Sequence, residues 1–366
     1  MSTDLRPSQR YVDPVPLLDA VATVFEQLGM LAQHARWAGE AIIDADRSGA
    51  GSHGLIRLRH YVDLLERGLV TPRAALRIES SDGAVLRLDA GNALGQVAGT
   101  WLIDRSLEVV RELGAAVVTM RRGNHLGALG TYVRRAALAG AGAVLTQATS
   151  PNMTAYGGVD ARLGNNPFAV GLPTGLDYPL VLDVSCSAAA RGKMLIAQQT
   201  GQRLPEGWAV RADGSPARTA DEGIAGTLLP FAGHKGAALA TVLGALSGVL
   251  AGSAFGQHIA PPRQPRGPRD IGCFAVIFDI SRFGPVGGYE ERMADYLGFV
   301  LDGRSTGEPI TVPGKDAELR RVESAGGVQL PVGVWNDLQD LFASRGIAIP
   351  ESADRTPDRE DVTTTP

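Results

Sequence analysis

Several features are scarce in this 366-residue chain, and each scarcity removes a class of function. Cysteine occurs only at Cys186 and Cys273, far apart and without metal-ligand spacing, so neither a disulfide framework nor a metal centre is expected. An excess of basic charge is also missing. With 35 Lys and Arg against 39 Asp and Glu, the net charge of -4 leaves no footprint for nucleic acid or an anionic membrane. The start, Met1 to Arg6, lacks the apolar core of a signal peptide, and together with the two thiols this points to a reduced, cytoplasmic setting. An apolar fraction of 44% with 20% charged residues excludes disorder and fibre, leaving a chain long enough for one large core or two smaller ones.

Long hydrophobic runs are nearly absent as well. Gly236 to Gln257 carries no charged residue and is long enough to cross a bilayer, but its hydrophobicity comes from Ala and Gly. Gly236, Ala240, Gly244, Gly248 and Gly252 recur every fourth residue, as a buried helix with a smooth groove for another backbone would require. No membrane span is expected.

What is present divides by period. Residues up to Asp13 are polar and read as loose, after which Leu17, Val21, Val24 and Leu28 recur at helical spacing before Gly29. A second helix carries Ala35, Ala38 and Ile42, with acidic Asp44 and Asp46 near its end. From Val85 the period becomes two, and strands are expected at Val85–Asp89, Ala115–Thr119, Ala143–Gln147, Leu180–Val184 and Phe274–Phe278. Asp213-Gly214 is a hairpin signal, so part of the sheet is antiparallel. Val334, Leu338 and Leu341 mark a last helix before Gly346. The expected organisation is an N-terminal helical domain over 1–80, a mixed α/β sheet domain over 81–310, a C-terminal helical stretch over 311–350 that packs back on the first, and a disordered tail over 351–366.

Four stretches carry polar groups in patterns suited to chemistry. Ser52-His53-Gly54 precedes a helix with Leu55, Leu58, Val62 and Leu65 on its apolar stripe, so Ser52 reads as an N-cap and His53 as a first-turn acid/base group. Arg57, four residues on, would share its face and hold a carboxylate, the simpler reading being a surface helix whose His and Arg face water. Asn124-His125-Leu-Gly127 lies between an apolar strand and a helix start, an arrangement that suits a phosphate, although a turn histidine satisfied by backbone is the simpler reading of His125 alone. No third glycine completes a Rossmann fingerprint, because Gly140-Ala-Gly142 follows a helix rather than a strand. Asp183-Val-Ser-Cys-Ser187 leads into Arg191-Gly192-Lys193, which offers hydroxyls and cations for ribose and phosphate or, taken singly, an ordinary capped helix. Gly233-His-Lys235-Gly236 presents a lysine between glycines at the head of the glycine-rich helix.

The order of these stretches resembles the malate/L-lactate dehydrogenase family of the non-Rossmann type, which includes ureidoglycolate dehydrogenases, diketogulonate reductases and cyclic imino-acid reductases. The matching blocks are Ser52-His53-Gly54 with Arg57; Asn124-His125 with Gly127; Leu163 to Pro167; Asp183 to Lys193; Leu204 to Trp208; Gly233 to Gly236; and Leu330 to Trp335. The resemblance implies a nicotinamide cofactor, NAD or NADP, on a largely antiparallel sheet domain, a helical domain made from both chain ends, a small 2-hydroxy or 2-keto acid as substrate, and a homodimer. It further implies Ser52 and His53 as a proton-donating pair, Arg57 as the carboxylate contact, and His125 as proton donor or cofactor contact. Leu126, Gly127, Ala128, Leu129, Asn165, Asp183, Val184, Ser185, Arg191, Gly192 and Lys235 fall at cofactor-binding positions, and a loop at Gly288-Tyr289 is expected to close over the cofactor. Gly51 stands where Asp is common and Asn165 where Thr is common. Lys193 stands where the imino-acid reductases carry an acid, which weakens that branch of the resemblance.

Overall fold

Two stretches of helical periodicity from opposite ends of the chain belong to one structural unit. In the computed structural model, which describes residues 9–261, 267–284 and 286–353, one unit holds the residues up to Val62 and those from Ala317 on. The other holds Asp63–Asp316.

In the helical unit, helix Pro14–Gln27 starts where Asp13 accepts the Val15 N–H at 2.8 Å, and it packs on helix Ala32–Arg47. Leu17, Val21, Val24 and Phe25 on the first helix, Ile42 on the second, and Trp335, Leu338 and Phe342 on helix Val332–Ser344 are buried. Arg321 forks onto Asp44, Nε to Oδ1 at 2.7 Å and Nη2 to Oδ2 at 3.0 Å, with its side chain only 7% exposed. Such a pair ties the late segment to the early one with fixed geometry. The polar start and the expected tail need correction. Gln9–Val12 forms a strand that pairs antiparallel with Val328–Pro331 and, on its other edge, with Ser352–Ala353. Main-chain bonds between segments more than three hundred residues apart leave no periodic trace in either one. Residues 1–8 and 354–366, where the rest of those two expectations falls, lie outside the described residues.

The second unit is built on a seven-stranded mixed sheet in the order Arg77–Asp82, Val85–Asp89, Ala115–Gly123, Ile271–Asp279, Ala141–Gln147, Phe168–Leu172, Leu180–Val184. Only the pair Val85–Asp89 with Ala115–Gly123 is parallel in this sheet. Helix Gly95–Leu113 packs on strand Ala115–Gly123, and helix Gly130–Leu138 packs on Ala141–Gln147 and Phe168–Leu172. The edge strand Arg77–Asp82 is exposed throughout, so no apolar alternation announces it. A four-stranded sheet, Ala209–Val210, Thr227–Leu228, Met153–Thr154 and Ala161–Leu163, covers a smaller core that includes Cys186, Met194 and Ala240. Asp213-Gly214 lies in a tight turn where Gly214 N–H donates to Arg211 O and Val210 bridges Pro216.

The glycine-rich segment is helix His234–Gly244 continued by a π-helical stretch, Ala245–Leu250. No helix among the described residues is long and apolar enough to cross a membrane. Gly236, Gly244 and Gly248 receive this chain's own groups, while a Cβ on Gly252 would meet nothing within 4 Å. A Cβ on Gly236 would meet the Phe231 and Cys186 carbonyls, one on Gly244 would lie 2.8 Å from Asn166 Nδ2, and one on Gly248 would lie 2.9 Å from Phe255 Cβ. The outward residues are Val242, Val249 and Leu250, exposed by 56%, 59% and 60%.

Candidate functional site

The Ser52 stretch departs from the first turn of an α-helix. Two 3-10 turns, Gly51–His53 and Leu55–Arg57, come before helix Leu58–Glu66, and Ser52 is not an N-cap. The cause lies one helix back. Asp46 Oδ2 accepts the Leu55 N–H at 2.7 Å and so starts the second turn, while any Cβ on Gly54 would run into the same carboxylate. Buried Leu55 and Leu58 anchor the stretch from below. The Ser52 hydroxyl lies 3.0 Å from His53 Nδ1, and Arg57 Nε donates to Ser52 O at 2.8 Å. Ser52, His53 and Arg57 are thus brought together by a main-chain restart over Asp46, and not by the four-residue helical spacing.

The electrostatics of this turn follow from burial. Burial, with the Arg57 charge as a smaller contribution, pushes the His53 imidazole down to about 4. Burial pushes the Asp46 carboxyl up to about 7, against the pull of the Leu55 N–H. At neutral pH His53 is therefore a neutral imidazole. Where Nδ1 donates to Ser52, Nε2 is a base; where Nδ1 accepts from Ser52, Nε2 is a donor.

His125 sits in an extended loop between strand Ala115–Gly123 and helix Gly130–Leu138, and the main chain on both sides of it is fixed. Gln147 Nε2 donates to Asn124 O at 3.0 Å, and Gln147 Oε1 accepts the Leu126 N–H at 3.1 Å. The Tyr132 hydroxyl donates to Leu126 O at 2.5 Å, and Asn124 Nδ2 reaches Asn92 Oδ1 at 3.0 Å and Ala93 O at 2.8 Å. The His125 carbonyl packs against Gly95, where a Cβ would collide with it. Gly127 takes a left-handed φ of +85, which lets the loop turn toward the next helix. Leu126 and Leu129 are buried, whereas His125, Gly127 and Ala128 are half-buried.

The amides at the head of that next helix, read from sequence as an anion site, already hold an internal carboxylate. Asp183 Oδ2 accepts the Gly130 N–H at 2.7 Å, and the Leu129 N–H also bonds to Asp183. A phosphate is therefore not expected on those two amides. Asp183 keeps an exposed surface, and it joins the Leu126 to Leu129 loop to the segment Val184 to Ser187. Ser185 and Ser187 hydroxyls lie 3.0 Å apart. Cys186 extends the group, since its N–H donates to Asn165 O at 2.8 Å and its carbonyl accepts the Phe231 N–H at 3.0 Å, next to the head of helix His234–Gly244. Asn165 Oδ1 accepts from Thr149 Oγ1 and Asn152 Nδ2, each at 3.1 Å. Half-buried Arg191 and Gly192 and exposed Lys193 open helix Arg191–Thr200, and Lys235 is exposed in the first turn of His234–Gly244.

This donor set fits a dinucleotide. The accessible edge of the Asp183 carboxylate and the Ser185 hydroxyl suit ribose oxygens, the Arg191 and Lys235 cations suit a pyrophosphate, and a loop with a left-handed glycine lets backbone approach a ring closely. Gly288 and Tyr289 differ from expectation. They lie in the first turns of helix Val286–Leu301 rather than in a loop, and the Tyr289 hydroxyl donates to Pro173 O at 2.9 Å. Asp46 and Gln147 were not singled out from sequence as site residues. An acid at the end of a helix just before Ser-His-Gly, and an amide closing the apolar strand Ala141–Gln147, were the available signals.

Known proteins resemble this chain over most of its length. Residues 12–339 match the malate/L-lactate dehydrogenase family model. A (2R)-3-sulfolactate dehydrogenase (NADP(+)) of Chromohalobacter salexigens is 33% identical over 89% of this chain and 96% of its own length. The sulfolactate dehydrogenase of Methanocaldococcus jannaschii superposes with a TM-score of 0.86 at 26% identity, covering 93% of this chain and 98% of that one. The delta1-piperideine-2-carboxylate reductase of Pseudomonas syringae superposes with a TM-score of 0.81 at 28% identity, covering 90% and 99%. With a family model spanning most of its length and a relative this similar over nine-tenths of it, the chain belongs to the malate/L-lactate dehydrogenase family.

Proposed function

We propose that this protein is an NAD(P)-dependent oxidoreductase that interconverts a small 2-hydroxy acid and its 2-keto acid. The observation that carries the reading is the His53 turn, where a neutral imidazole hydrogen-bonded to Ser52 and a guanidinium anchored to the same turn occur together. Oxidising the alcohol carbon requires a base for the hydroxyl proton and a cation that holds the neighbouring carboxylate in register. His53 takes the proton and Ser52 fixes its ring. Arg57, whose Nε is engaged by Ser52 O, offers its Nη groups to the carboxylate. A bound nicotinamide would supply the hydride acceptor or donor for the hydroxyl-bearing carbon. Leu126 to Leu129, Asn165, Asp183 to Ser185, Arg191, Gly192 and Lys235 would hold that cofactor, with His125 as a contact on the same loop and Tyr289 supporting from its helix. In the reverse direction a proton on His53 polarises the keto oxygen.

Binding of the substrate carboxylate at Arg57 would cancel the positive charge that helps depress His53 and so ease its protonation, which matches proton uptake to substrate occupancy. The similarity to a piperideine-2-carboxylate reductase favours a second reading, reduction of cyclic imino acids. The exposed ammonium of Lys193 speaks for carbonyls instead, since it is a poor proton acceptor where a relay would want a carboxylate. Following nicotinamide absorbance with both cofactors against a panel of 2-keto, 2-hydroxy and cyclic imino acids decides this. A tenfold preference in kcat/KM for a linear 2-keto acid over piperideine-2-carboxylate is expected, and the inverse preference overturns it.

The same reading includes a homodimer in a reducing compartment such as the cytoplasm. The apolar face of Val242, Val249 and Leu250 supports the first, and the buried free thiols of Cys186 and Cys273 the second. An active monomer at micromolar concentration in light scattering would refute the dimer.

A further inference from the structure

The mechanism above gives Gln147 no role, although it is 1% exposed in the sheet unit and its side-chain oxygen and one of its amide protons are both directed at the loop bearing His125. Its Oε1 takes the amide after His125, one Nε2 proton goes to the carbonyl before His125, and Cys273 Sγ lies 3.5 Å from the same nitrogen. Strand Ala115–Gly123 ends just before this point, and the side-chain amide of Gln147 supplies one acceptor and one donor to the main chain there, as a neighbouring strand would. A carboxamide is the one common side chain group that presents both at this spacing without charge. Other groups fix single atoms nearby, Tyr132 at Leu126 O and Gly95 at the His125 carbonyl, but the Gln147 amide brackets the residue.

We infer that Gln147 is a positioning residue for His125: its amide holds the two peptides on either side of the imidazole and thereby sets where the ring meets the cofactor. This rests on the reading of His125 as a cofactor contact. A bracket of two hydrogen bonds restrains the ring's origin in position and rotation, whereas loss of either bond frees one peptide to tilt. Substituting the amide therefore should act through His125 and should matter little once the imidazole is gone.

The test is a double-mutant cycle among wild type, Gln147→Leu, His125→Ala and the double variant, read by kcat/KM and independently by the Kd for NAD(P)H from nicotinamide fluorescence. Both single variants are expected to weaken NAD(P)H binding by tenfold or more, and the double variant to be no more than about threefold worse than His125→Ala. A fall in melting temperature of equal size in both backgrounds would belong to packing and leaves that comparison intact. Gln147→Glu keeps the size and serves where Gln147→Leu does not fold. Its ionised carboxylate would oppose the Asn124 carbonyl, but its protonated form restores one donor and one acceptor. Relative to wild type its NAD(P)H affinity should recover by tenfold or more on going from pH 8 to pH 5.5. Losses that multiply in the double variant, with no recovery at low pH, overturn the positioning role while leaving His125 in place. A His125→Ala protein with normal affinity and turnover overturns the cofactor reading of His125 itself, and the inference with it.

Discussion

The two histidine turns are held by opposite kinds of chemistry. In the helical unit, His53 stands on a restart of the main chain captured by a buried carboxyl, and both groups have titrations moved far by burial. In the sheet unit, the peptides on either side of His125 are held by Gln147, with Asn124, Asn92 and Tyr132 beside them, and a carboxyl enters only at the far end of the loop, where burial raises Asp183 and its oxygens take the Leu129 and Gly130 N–H groups. A carboxyl tolerates a proton and can change state with pH; a network of amides keeps one state. The difference suits a division of labour in which one turn exchanges protons with the substrate and the other keeps a fixed shape against the cofactor.

The largest effect should come from removing the two imidazoles in turn. His53→Ala is expected to lower kcat by about a hundredfold or more, as loss of a general acid/base does, with the Kd for NAD(P)H nearly unchanged. His125→Ala should show itself first in that Kd. Steady-state kinetics and a fluorescence titration on both variants check the pair, and the contrast between the turns collapses if both move the same constant.

Next in size is Arg57→Lys, which keeps the charge and loses the fork. An increase in KM for the 2-keto acid of about tenfold is expected, with little change in melting temperature because Arg57 is exposed. An unaltered KM with a large loss of stability would make Arg57 a brace for the Ser52 carbonyl and nothing more.

Much of this contrast could be read from the sequence, though not its mechanism. Strand Val85–Asp89 stands where the two-residue period placed it, its burial alternating over the first four residues, and Leu180–Val184 stands where it was expected although its burial does not alternate. That Ser52, His53 and Arg57 lie together was expected from a helical spacing, but what brings them together, two 3-10 turns restarted by a bond from Asp46 nine residues before Leu55, was not legible. Periodicity reports which side of an element is apolar and is silent about a side chain that captures a backbone amide from another element. Gln147 was hidden for the same reason, and strand Gln9–Val12 because its pairing partners lie at the far end of the chain. The glycine stripe was legible as a site of close approach, while what approaches it, Asn166 and Phe255 of the same chain, was not.

The smallest expected effect is the most diagnostic of the contrast, because it concerns the sign of a slope. Asp46 goes from an ordinary 3.8 to about 7 on folding, so the native state holds a proton that the unfolded chain releases between those values. Its contribution to stability is complete below about pH 4 and is lost as pH rises through about 7. His53 goes from 6.5 to about 4, so here the unfolded chain holds the extra proton, and stability is lost as pH falls from 6.5 through 4. The two slopes oppose each other over the same window and largely hide one another in the wild type. Asp46→Asn keeps an oxygen for the Leu55 N–H and removes one slope, so its melting temperature relative to wild type should fall as pH is lowered from 7 to 5. His53→Gln removes the other, so its relative melting temperature should rise over the same interval. Each drift is expected to be a few degrees, about what 1 kcal/mol makes in a protein of this size. Gln147→Leu, at an uncharged turn, should show no such drift. Parallel slopes for Asp46→Asn and His53→Gln would mean that the carboxyl and the imidazole do not carry the proton states assigned to them, and that the two turns differ in shape alone.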